Sequence, residues 1–498
     1  MSERRPVTNV VVVGRDTDLW LAVNSLVRAL RPAGVRVTAV ELPTRLDPTH
    51  ISATQPALEA LHSKLGIEES ALLRLTGGSF SLGQNFVCQR QGFFHAWAAY
   101  GASIEGKKFF SCWLRATRQG FQLPLRSFCL TAVAAQNGRM LVPDEATAAF
   151  GRTDYGYHLQ TWGYVAYLKS LAVSLGVECH AVRDVEVERA ADGSITAVLA
   201  DGVLRIVGEL FVDASGVDAV LMGRTLQVPR ESWRPYFPAD RVLFARAPAF
   251  TAIPPFAEVR TSGTGWTLLH PSRCGTGIVH SFCSDLVSDA AAVESASAAA
   301  GIKLKDASWR DSDPYIRLRV WEGNCVAVGR AACDVDPLHD VELHVLQLGL
   351  VHLLALFPVC EAFAAERAEY NRLMRSYYER IRDFQCAWYA LSSCAGEFWR
   401  RARHVSVPDP LSHKVLTFRA CGQIPPLEDE TFSLESWQAL LIGAGLVPEA
   451  APAVAERISP SRLNEEFGRM LGFIKTKVLE QPTHDDYLRS LLQGGAVA

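Results

Sequence analysis

Val10-Val-Val-Val-Gly-Arg-Asp-Thr-Asp-Leu-Trp20 is the stretch on which the fold turns. The unbroken β-branched run marks a strand buried on both faces, and Gly14 turns the chain out of it. Trp20, Val23, Leu26, Val27 and Leu30 then recur at helical spacing. Pro32 and Gly34 end that helix, and Val35 to Val40 form a second strand closing on Glu41. Strand, helix and strand in this order are a βαβ unit, whose two strands lie parallel in one sheet. With Glu41 where a ribose-binding carboxylate belongs, the plan is that of a Rossmann dinucleotide site.

The fingerprint inside that plan is damaged. The turn should read G-x-G-x-x-G and reads Gly14-Arg-Asp-Thr-Asp-Leu19. Asp16 stands where the second glycine lets the backbone approach a pyrophosphate, and Leu19 where the third lets helix and strand pack closely. A helix N-terminus attracts phosphate through free N–H groups. Asp16 or Asp18 would cap those donors internally. Each carboxylate would also repel a diphosphate, by about 3 kcal/mol at roughly 5 Å and an effective dielectric of about 20. A Rossmann-type unit kept as scaffold therefore fits the turn better than a working dinucleotide site.

Outward from this unit, residues 44–151 read as irregular and rich in Gly and aromatics, and Trp162 to Leu175 as a helix. Two short strands then turn at Asp192-Gly193 and Asp201-Gly202. Glu209 to Asp213 is another buried strand. About 232–316 reads as an antiparallel sheet, and Asn324 to Gly329 as a strand leading into a helix over Val341 to Phe357. Helical patterns follow over Glu361 to Ser393, Phe432 to Leu446 and Pro460 to Leu479, the last capped by Ser459 with proline at its first position. The expectation is an α/β body over 1–358 with the inserted sheet, and a helical part over 359–498 packed on it as one compact unit.

Composition bounds the function. In 498 residues, 49% are hydrophobic and 21% charged, with net charge −3, so there is ample core and no electrostatic footprint for nucleic acid. The longest apolar stretch, Val345 to Cys360, is interrupted by Gln347, His352 and Pro358 and is too short to span a membrane. The 12 cysteines contain no CxxC pair, which argues against structural zinc or a disulfide framework and for reduced, buried thiols. No signal segment is read at the N-terminus, so the expected location is the cytoplasm.

Taken in order, several segments resemble the flavin-dependent tryptophan halogenase family. Thr17 and Trp20 match its G-G-G-T-A-G-W turn. Leu75-Thr-Gly-Gly-Ser-Phe-Ser-Leu-Gly83 is similar to the segment that carries its catalytic lysine, and Gly92-Phe-Phe-His95 to a stretch soon after. Glu209-Leu-Phe-Val-Asp-Ala-Ser-Gly216 resembles its flavin-side strand and turn. Trp266 to Pro271 falls on W-x-W-x-I-P, and Asp336-Pro-Leu338 on the E-P-L before the active-site helix. Glu369-Tyr-Asn-Arg-Leu-Met374 and Tyr378-Glu-Arg-Ile-Arg-Asp-Phe384 match closely. The resemblance implies a flavin-monooxygenase-like α/β fold and FAD held at Gly14, Thr17, Trp20 and Glu41. It also implies reduced flavin, oxygen and halide giving hypohalous acid. A lysine then positions the oxidised halogen, and a glutamate assists at a tryptophan- or indole-like ring.

Against that pattern, the lysine position is Ser81, which forms no haloamine, and the glutamate position is His339. The two following positions, near the halide, are Asp340 and Val341: a repelling carboxylate and a side chain without a donor. Ile51-Ser-Ala-Thr-Gln-Pro56 lacks the Gly and Glu of the family's G-E-A-T-I-P, and Leu268 and His270 replace the second Trp and the Ile of W-x-W-x-I-P. The expected protein is therefore a halogenase-like homologue with weak or absent FAD binding. It would bind a neutral aromatic or peptide-like ligand, or pair with a protein partner such as an active homologue. The alternative is an FAD-dependent halogenase or monooxygenase with His339 as base. His339, Asp340, Asp336 and Glu342 read more simply as a helix start favoured by the dipole than as a metal site, because His344 and His352 lack the i,i+4 spacing of helical ligands. Trp162, Trp266, Trp388 and Trp399 would line an aromatic pocket or, by default, pack in the core.

Overall fold

A computed structural model describes residues 6–88, 92–151, 153–358, 360, 363–453 and 457–494. The chain divides into two compact units interleaved along the sequence: residues 1–76, 159–234 and 313–380 form one, and 77–158, 235–312 and 381–498 the other.

The first unit is built on a six-stranded sheet in the order Trp321–Glu322, Cys325–Ala327, Leu210–Ala214, Asn9–Gly14, Arg36–Glu41, Glu178–Ala181. All neighbours are parallel except the first pair. The all-buried valines of Asn9–Gly14 occupy the centre, as their composition demands. Gly14 pairs with Ala214 on one side and Glu41 on the other. A Cβ at Gly14 would stand 2.4 Å from the Ala214 carbonyl oxygen, so strand approach alone requires this glycine. The helix Asp16–Leu30 follows, and Thr161–Ser174 is the helix read from the sequence. Three antiparallel strands, not two, occupy 185–207, turning at Asp192-Gly193 and Asp201-Gly202.

The second unit holds a seven-stranded sheet, ordered Ala307–Asp311, Arg241–Ala247, Gly275–Phe282, Gly265–Ser272, Ala257–Ser262, Gly83–Val87, Phe93–Ala96. Its core is the antiparallel sheet expected over 232–316. It gains Gly83–Val87 in parallel and Phe93–Ala96 beyond it. These two strands lie where the sequence reads as irregular. So do four short helices of 7 to 10 residues, Ala57–Leu65, Glu69–Thr76, Phe109–Arg118 and Leu130–Gln136, and a four-residue turn at Leu125–Phe128, each too brief to establish a period. The helix Asp289–Ala300, also unread, packs Ala292 and Ala296 against the sheet.

The C-terminal helices stand at Ala364–Leu391, Leu434–Gly443 and Pro460–Glu480, and Ser459 accepts the Arg462 N–H as a cap. Residues 361 and 362, the start of the expected helix, lie outside the described residues. The thiol expectation fails at one pair: Cys88 and Cys394 are bonded, with their Cα atoms 5.9 Å apart. Among the described residues no helix is long and apolar enough to cross a membrane, and no cluster suits a metal ion.

Candidate functional site

In an open parallel sheet, ligands bind beyond the carboxyl ends of the strands where strand order reverses. Here that point is Asn9–Gly14, with the chain moving to Arg36–Glu41 on one side and Leu210–Ala214 on the other. Neither aspartate of the turn caps the helix, contrary to expectation: Arg15 is the N-cap and accepts no side-chain bond. Asp16 takes a left-handed backbone, φ 56°, and its carboxylate accepts the Arg45 backbone N–H at 3.1 Å. Asp218 pairs with Arg15 at 2.6 Å and with Arg45 at 2.7 Å. The Asp18 carboxylate faces the turn after the strand Cys325–Ala327, accepting the Arg330 N–H at 3.4 Å. The Arg330 guanidinium binds Asp334 at 2.9 Å and reaches Glu342 at 3.8 Å. Burial, with the nearby Glu342, pushes Asp18 up to about 7, against the pull of Arg330. The turn therefore carries less negative charge at neutral pH than its sequence suggests.

The remaining positions expected to hold a cofactor are buried or ion-paired. Glu41 ion-pairs with Lys169 at 2.6 Å. Trp20 is fully buried, with the Lys169 ammonium 5.3 Å from its ring, and Leu19 is core. Thr17 is buried beside them and its hydroxyl has no partner among the described residues. Asp213, on the flavin-side strand, is buried and accepts the N–H groups of Ser215, Leu221 and Met222 and the Ser215 hydroxyl. Arg330 went unread in the sequence. Its only signal is one arginine inside the apolar run Val326 to Cys333.

His339 and Asp340 are buried in a short turn, Leu338–Asp340, and both adopt left-handed φ, 69° and 54°. Non-glycine residues pay of order 1–3 kcal/mol each for this conformation. Asp336 holds the turn by accepting the Leu338 N–H at 3.0 Å, and the Gln55 amide donates to the His339 carbonyl at 2.6 Å. The Ile51–Pro56 segment and the glutamate position are thus brought together. Val341 is buried just before the helix Glu342–Ala355.

Ser81 belongs to the second unit. It ends the strand Ser79–Ser81, is buried, and donates its hydroxyl to the Gly83 carbonyl at 3.3 Å. Nearby in sequence, the His95 ring lies against Phe384 and Phe432 at 5.6 and 6.4 Å between centroids. Those two phenylalanines stack at 3.7 Å, and Trp437 meets Phe384 edge-on. Burial lowers His95 to about 4, so it is neutral. Lys414, also unread, is buried 3.8 Å over the Trp437 ring and bonds Glu430 at 2.5 Å. Trp266 donates to the Tyr389 hydroxyl at 2.9 Å, and Trp388 packs edge-on to Trp399 at 4.8 Å. These three tryptophans are core, whereas Trp162 is 40% exposed on its helix. His270 lies 5.2 Å from the His158 ring.

Comparison with known proteins agrees with this architecture. The family model described as Tryptophan halogenase matches residues 9–460. The tryptophan 6-halogenase SttH of Streptomyces toxytricini is 25% identical, over 99% of this chain and all of its own. Two solved structures superpose with a TM-score of 0.92 at 28% identity. BrvH, a flavin-dependent halogenase from Brevundimonas sp. BAL3, does so over 97% of this chain and 99% of its own. Xcc4156, a flavin-dependent halogenase from Xanthomonas campestris, does so over 98% and 99%. Sheet order, motif order and full-length similarity together establish that the chain belongs to the flavin-dependent tryptophan halogenase family.

Proposed function

We propose that this chain keeps the halogenase fold without halogenase turnover and serves as a ligand- or protein-binding homologue. One observation carries the reading: at the carboxyl ends of the central strands Asp218 is ion-paired with Arg15 and Arg45, Arg330 is ion-paired with Asp334, and Asp18 accepts the Arg330 backbone N–H. A diphosphate needs free N–H donors and cations there. It would have to separate these pairs and lie beside two aspartates. The residues present do not fit FAD, and no reaction step is assigned to it. Ser81 and Val341 add that neither a lysine nor a hydroxyl donor stands at the halogen-handling positions. The occupant in this reading is a neutral aromatic or peptide-like ligand, or a protein partner such as an active relative.

A second reading is favoured by the strained turn at His339 and Asp340, and by the fact that the relatives named above are halogenases. In it the chain is an FAD-dependent halogenase or monooxygenase acting on a tryptophan- or indole-like ring, with His339 as base.

Flavin content separates the two. Purified protein is expected to be colourless and to bind added FAD weakly. With reduced flavin, oxygen, bromide and tryptophan, mass spectrometry should find no brominated product, and Ser81→Lys alone should not change that. Stoichiometric flavin, or product above a no-protein control, would overturn the first reading in favour of the second.

A further inference from the structure

The second unit contains a cavity of about 320 Å³, enclosed by the helix Phe109–Arg118, the segment 119–126, the strand Phe93–Ala96 and residues 439–448. Its volume is that of a small-molecule site. None of the family's cofactor, lysine, glutamate or halide positions lines it. The close seating of the helix Leu434–Gly443 shapes one wall: a Cβ at Gly443 would stand 2.3 Å from the Phe93 ring.

The lining has a defined chemistry. Phe93, Trp113 and Phe121 supply aromatic walls. The Trp113 indole N–H is spent on the Leu123 carbonyl at 3.1 Å, which fixes that ring. Tyr100 is 6% exposed and lines the cavity. The neighbouring Thr117 hydroxyl is buried with no hydrogen-bond partner among the described residues, which is costly unless a ligand or water completes it. Two guanidiniums, Arg118 and Arg126, stand among the lining residues, and no carboxylate does. Arg126 donates one N–H to the Gly92 carbonyl at 2.8 Å, which orients its fork.

We infer that this cavity is a binding site for an aromatic carboxylate of one or two rings. The ring lies between Phe93, Trp113 and Phe121, the carboxylate meets Arg118 and Arg126, and the Tyr100 hydroxyl donates to it. Planar guanidiniums suit carboxylates, and aromatic walls favour a flat apolar body. The site is independent of whether the chain binds FAD, because it uses none of the residues on which that question rests.

The test is a calorimetric titration of the full chain with naphthalene-2-carboxylate, its neutral carboxamide, and hexanoate. Wild type should bind the carboxylate at least about tenfold more tightly than either control, the difference expected for one charge-assisted hydrogen bond. The double variant Arg118→Ala, Arg126→Ala should reduce carboxylate affinity to that of the carboxamide. Filling the cavity with Ala439→Trp should abolish binding of both aromatic probes. Thr117→Phe fills it from the opposite wall and serves if Ala439→Trp does not fold. Equal affinity for carboxylate and carboxamide, no binding of any probe, or binding unchanged by both a filling variant and the arginine variant would overturn the assignment.

Discussion

Replacing Asp18 by asparagine tests whether the strand-end groove is closed. In the folded chain, burial and Glu342 hold the Asp18 carboxyl at about 7, while an unfolded aspartate titrates at 3.8. The folded state therefore keeps a proton that the unfolded state has already released. The resulting stability is complete below pH 3.8, is lost as pH rises toward 7, and is constant above that. One pKa unit is worth about 1.4 kcal/mol, so the ceiling of the effect is about 4 kcal/mol. Asp18 is partly accessible, and solvent screening lowers the expectation to about 2 kcal/mol. Asparagine preserves the shape and removes the titration. Denaturant melts of wild type and Asp18→Asn from pH 5 to 9 should show the smallest difference at the acid end, about a third of the full effect. A gap favouring the variant should grow up to about pH 7 and then level. A gap that stays flat with pH, or grows in favour of wild type, would mean that Asp18 titrates as a solvated carboxylate. The groove would then be open, and the argument against FAD would fail.

Arg330→Met should destabilise the fold by about 3 kcal/mol, because Asp334 loses the largely buried cation paired with it; unchanged thermal stability would refute a closed network. Gly14→Ala should cost about 1–3 kcal/mol by overpacking against Ala214, whether or not flavin is added, read as a lowered unfolding midpoint. His62, His95, His280 and His484 are each lowered to about 4 by burial. Their stabilising neutral forms are lost as pH falls from 6.5 to about 4, so melts should show an acid-side decline. NMR titration should find these rings uncharged at pH 6, and a normal imidazole titration would refute it.

The βαβ start, the buried strand at Leu210–Ala214, the inserted sheet and the C-terminal helices were legible because each carries a local period or an unbroken apolar run. The assignment of Ser81, His339, Asp340 and Val341 to the family's lysine, glutamate and halide positions rests on motif order and stays a proposal. Segment 44–151 was not legible. Its strands and helices are too short to establish a period, and Gly83–Val87 is held by pairing with Ala257–Ser262, more than 150 residues away. Sequence alone therefore determined the family frame. Tertiary structure alone decided which partners its strand-end charges meet. Arg330 is 312 residues from Asp18, and Asp218 203 from Arg15. Asp16 and Asp18, which read as helix caps, instead accept the backbone N–H groups of Arg45 and Arg330, in the segments that follow the strands Arg36–Glu41 and Cys325–Ala327. Charge pairing across such separations leaves no local pattern in a chain, since it depends on which strand ends the fold makes neighbours.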